Sequence, residues 1–96
     1  MNVEQFCSDY GATVELLPGV LGNVSPEVRE QFGYSLEEKL LWRRQALAQA
    51  DHRGRLQIEA IDGKLVELAA LISEHLGLNV REFLAAPETS RHAVAR

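Results

Sequence analysis

The stretch Ile58-Glu59-Ala60-Ile61-Asp62-Gly63-Lys64-Leu65-Val66-Glu67-Leu68-Ala69-Ala70-Leu71-Ile72 decides the fold. Ile58, Ile61, Leu65, Leu68 and Ile72 recur at alternating steps of three and four, a heptad seam that only a helix can gather on one face. The seam is too short to assert a coiled coil, but it is enough for a packed helix and for a candidate dimer seam. Gly77 marks its end. Its start is ambiguous, because Arg55 to Ile61 also alternates as a strand would, and Gly63 interrupts the helical pattern.

Working back from the seam, Ser35-Leu36-Glu37-Glu38 has the capping-box spacing and opens a helix expected to run to Arg53, with Gly54 as its stop. Residues 35–53 and 55–77 are then expected to form a helical hairpin. Ser25-Pro26-Glu27 starts a short helix that Gly33 would close. Residues 18–25 are rich in turn formers and are expected to be a loop. Val3, Phe6, Cys7, Tyr10, Val14 and Leu17 stack on one side of an N-terminal helix capped by Asn2 and stopped by Pro18-Gly19. Working forward, Asn79-Val80-Arg81-Glu82 repeats the capping box and opens a last helix that ends before Pro87. The expected fold is all-α, a small helical bundle built on the hairpin with short flanking helices. The alternative is an α+β arrangement in which residues 12–17 and 55–61 pair as two strands. A single helical domain over residues 1–87 would be followed by a flexible tail, 88–96.

Composition narrows the function classes. Ninety-six residues suit one domain, and 46% apolar with 25% charged residues is an ordinary globular balance. No apolar run approaches the roughly 18 to 20 residues of a membrane span. The first residues carry neither the basic nor the apolar region of a secretory signal. Cys7 is the one cysteine, which fits a reducing, cytoplasmic setting. The net charge of −4 hides an asymmetry. Residues 1–38 hold Glu4, Asp9, Glu15, Glu27, Glu30, Glu37 and Glu38 against Arg29, whereas residues 39–55 hold Lys39, Arg43, Arg44, Arg53 and Arg55 against Asp51. Such polarity suits self-association or a partner of mixed charge.

Catalytic and metal chemistry find little footing. His52, His75 and His92 lie on different segments, and Glu88, four residues before His92, is the one helically spaced acidic neighbour. A zinc site needs three or four converging ligands. Cys7 lies on an apolar face, where a thiol behaves as a small hydrophobe. Neither a Gly-x-Ser-x-Gly elbow nor a phosphate-binding glycine loop is present. No enzyme activity, metal or cofactor is expected.

Two resemblances touch the chain. Residues 58–68 resemble the opening helix of helical chorismate mutases, but that family's arginine on the next turn is replaced by Ala69, Ala70, Leu71 and Ile72. Residues 65–86 resemble a helix-turn-helix unit, with Gly77 at the turn and Ile72, Leu76, Leu78 and Phe83 as its packing residues. That resemblance implies a DNA-binding regulator using Arg81 on the second helix. The leading expectation is a protein-protein interaction module, an adaptor or inhibitor, acting as a homodimer along the Ile58–Ile72 seam or through Trp42. Trp42 lies about 200° around the helix from Leu40. With Arg43 and Arg44 beside it, it forms the residue set enriched in interface hot spots.

Overall fold

The computed structural model describes residues 2–23 and 25–85. The expected tail, 88–96, and the Glu88–His92 pair lie outside these residues. Six helices follow in order: α1 (Val3–Glu15), α2 (Leu17–Asn23), α3 (Pro26–Gln49), α4 (His52–Glu67), α5 (Ala69–Leu76) and α6 (Val80–Ala85). The all-α expectation is met. Residues 12–17 and 55–61 form no strand; the first group spans the end of α1 and the second lies inside α4.

Local chemistry explains most boundaries. Asn2 caps α1 by accepting the Gln5 backbone N–H at 3.0 Å. Ser25 caps α3 by accepting the Val28 N–H at 3.3 Å, and Pro26 takes the first-turn position where its missing N–H costs nothing. Asn79 accepts the Glu82 N–H at 3.2 Å and donates its amide to the Glu82 carboxylate at 3.1 Å, a reciprocal cap for α6. Gly77 ends α5 with φ of 69°, the left-handed conformation that favours glycine.

Several expected boundaries are corrected. Residues 18–25 are not a loop throughout: α2 forms because Pro18 falls in its first turn and because Leu17 and Val20 are buried. Gly33 does not close a helix, nor does Ser35 open one, since both lie inside the continuous α3. Gly33 is buried within reach of the Leu76 carbonyl on α5, and this packing offsets its poor helix propensity of about 1 kcal/mol. Gly54 is not a stop. Ala50 turns extended, Asp51 accepts the Gly54 N–H at 2.8 Å, and the helix restarts at His52. The seam helix breaks at Leu68, whose N–H bonds back to Leu65 and Val66 while its carbonyl accepts the Ile72 N–H at 2.9 Å.

The hairpin is also not the organising unit. The most extensive helix contacts are those of α1 with α4 and with α3, so α1 fills the space between them. Phe6, Tyr10, Val14 and Leu17 join Leu36, Leu40, Ile58, Leu65 and Ile72 in one core. Helices α5 and α6 close its far end with Ile72 and Val80.

Candidate functional site

The three residues expected to form a partner patch point in different directions. Successive residues turn about 100° around a helix, so Trp42, Arg43 and Arg44 cannot share one face. Arg43 occupies the inner stripe with Leu36 and Leu40 and is 7% exposed, which corrects its placement on a surface patch. Its Nε donates to Asp62 Oδ1 at 2.9 Å and its Nη2 to Oδ2 at 2.7 Å. The Tyr10 hydroxyl donates to Asp62 Oδ1 at 2.7 Å. A bidentate guanidinium–carboxylate pair of this kind fixes both side chains. Burial first, and then the hydrogen bond to Asp62, push the Tyr10 phenol well above its ordinary pKa of 10.0. The phenol therefore stays protonated, and the trio ties α1, α3 and α4 together.

The expected dimer seam is also turned inward. Ile58, Leu65 and Ile72 are fully buried, and Ile61 and Leu68 are half-buried against the same core. A dimer along these residues would have to open the monomer, so the seam is a core stripe. Its true inner positions are Gly54, Ile58, Asp62, Leu65, Ala69 and Ile72. The break at Leu68 transfers the stripe from one helix to the next.

Trp42 keeps an accessible position. It is 46% exposed, at the edge of a groove of about 350 Å³ between α1 and α3. Asn2, Gln5, Phe6 and Asp9 line one wall, a single face of α1, and Glu38, Lys39 and Trp42 form the other. Phe6 stacks in tilted contact with Tyr10, ring centroids 5.2 Å apart, and forms the floor. Asp9 accepts the Gln5 amide at 3.0 Å, and Lys39 lies 3.8 Å from Glu38. The groove thus has an apolar bottom and a rim of the Asp9 and Glu38 carboxylates with the Lys39 ammonium beside Glu38. Glu38 and Lys39 stand four and three residues before Trp42 and could be placed beside it from sequence. The α1 wall needed the tertiary fold.

Other candidate groups are dispersed. Cys7 sits half-buried beside Gln57, Ala60 and Ile61. Burial and then the Glu4 carboxylate raise its thiol pKa, which opposes thiolate chemistry. Among the described residues no three His, Cys, Asp or Glu side chains are grouped to hold a metal, and no helix is long and apolar enough to cross a membrane. In the helix-turn-helix region, α6 has six residues and seats Val80 in the core, leaving Arg81 exposed beside Glu82. Each neutralised phosphate asks for its own cation, and this helix brings one. No protein-family model, curated protein or solved structure matches the chain.

Proposed function

We propose that this protein acts by binding another protein, without chemistry of its own, and that the groove beside Trp42 receives the partner. The observation that carries this reading is the single tryptophan, a residue type enriched in interface hot spots, left 46% exposed at the edge of a groove floored by apolar surface. The rim carboxylates of Asp9 and Glu38 suit a partner segment that offers an apolar anchor next to a lysine or arginine. The reading places the protein in the cytosol, where Cys7 stays a thiol.

The test uses the single tryptophan as its own reporter. A partner captured on the immobilised protein should be lost with Trp42→Ala while the helical circular dichroism is unchanged. The purified partner should also shift Trp42 emission to the blue and shield it from acrylamide. Capture that survives Trp42→Ala, or a partner that leaves the emission unmoved, would rule this groove out.

A further inference from the structure

Helix α3 has a second apolar row that the core does not use. Tyr34, Leu41 and Ala48 follow one another at intervals of seven, all exposed, with Tyr34 64% and Leu41 58% accessible. Seven residues advance about 10.5 Å and drift only about 20° around a helix, so the three side chains form a nearly straight row about 21 Å long. The row lies about 130° from the centre of the inner stripe of Leu36, Leu40 and Arg43 and about 100° from Trp42. It is therefore centred on a different face from the groove, with Glu38 at the boundary between the two.

We propose that a second copy of this chain docks antiparallel along this face, with a twofold axis passing beside Leu41. The charges flanking the row select both the occupant and its direction. Glu37 and Arg44 stand on one edge of the row; Gln31, Glu38 and Gln45 stand on the other. In an antiparallel pair related by a twofold axis, like edges meet and the sequence order reverses. Glu37 then faces the partner's Arg44, and Arg44 faces the partner's Glu37. On the opposite edge Glu38 faces the partner's Gln45. Tyr34 covers the partner's Ala48, large against small, and Leu41 meets the partner's Leu41. A parallel pair would set Glu37 level with the partner's Glu38, like charge against like charge, on both sides of the interface. Self-complementarity of this kind is what an isologous dimer requires.

The proposal is independent of the groove reading, and its test does not touch Trp42. Sedimentation equilibrium at low salt, from micromolar to millimolar chain, should show a mass of twice 10.7 kDa. Leu41→Glu should return 10.7 kDa with unchanged circular dichroism, because this side chain supports no part of the core. Glu37→Arg and Arg44→Glu should each weaken the dimer by about tenfold or more, since each change acts at two symmetric contacts. The Glu37→Arg/Arg44→Glu double variant should restore it. A wild-type chain that stays monomeric to millimolar concentration overturns the proposal, as does a dimer indifferent to Leu41→Glu. A double variant no tighter than the single ones overturns the antiparallel register.

Discussion

Asp62 receives three hydrogen bonds from two helices other than its own, and its removal should be the most damaging single change in the molecule. Asp62→Ala removes the carboxylate that the buried Arg43 guanidinium pairs with bidentately, a loss of about 3–5 kcal/mol expected in urea denaturation. Replacing the trio together, Tyr10→Phe, Arg43→Met and Asp62→Leu, should cost far less, because the guanidinium, its carboxylate and the hydroxyl are removed together. A result in which the triple replacement is as damaging as Asp62→Ala alone would assign the ion pair real net stability. Tyr10 adds a pH dependence. Its phenol is held protonated in the fold, while the unfolded chain ionises near the ordinary value of 10.0. The unfolded state therefore sheds a proton first, and this contribution to stability is complete below pH 10 and is lost as pH rises above it. Wild type minus Tyr10→Phe should show a decline of up to about 1.4 kcal/mol per pH unit in that range. Parallel curves for the two proteins would remove the Tyr10 hydrogen bond from the account.

Two glycines of α4 have opposite expectations, although both sit in one helix. A Cβ on Gly54 would meet the Ala50 Cβ at 3.1 Å and the Val3 Cγ1 at 3.3 Å, where α1 approaches the α3–α4 corner. Gly54→Ala should lower stability by about 1–3 kcal/mol through overpacking. Gly63 has nothing within 4 Å of the same position and lies exposed in the helix interior. Gly63→Ala should raise stability by about 0.5–1 kcal/mol. Thermal melts of the two variants should move in opposite directions, and equal shifts would deny the close approach of α1. The same elements show how far the sequence could be read. The α1 stripe, the caps at Asn2, Ser25 and Asn79, and the stop at Gly77 are local chemistry and were legible. Arg43 and Asp62 were legible in principle: Leu36-Leu40-Arg43-Leu47 and Ile58-Asp62-Leu65-Ala69 step by four, three and four. Each charge occupies a core slot that its type disguises until the opposite charge is known to face it. The break at Leu68 carries no signal of its own in the sequence, and Pro18 at the start of Leu17–Asn23 reads as a turn until the packing of that segment on α3 and α5 is known. The groove wall from α1 was hidden for the same reason.

At the scale of the whole molecule, the N-terminal helix and not the central hairpin decides whether the chain folds. Phe6, Tyr10 and Val14 of α1 are all buried, between helices that would otherwise leave Leu36, Leu40, Ile58 and Leu65 open to water. Burying each such side chain is worth about 1.5–3 kcal/mol, so the three together reach roughly 4.5–9 kcal/mol. That is comparable with the entire stability of a typical domain, about 5–15 kcal/mol. Loss of α1 also strips the Tyr10 hydroxyl from Asp62 and exposes the ion pair from one side. A chain lacking residues 1–16 should therefore show no cooperative unfolding transition, even though α3, α4, their caps and their connecting Ala50-Asp51 corner are intact. Adding back a peptide of residues 1–23 should restore the transition in a concentration-dependent way, because binding to the folded form alone stabilises by mass action. A truncated chain that melts as sharply as the full one would return the fold to the α3–α4 hairpin. It would also detach the Trp42 groove, half of whose lining is α1, from the folded unit.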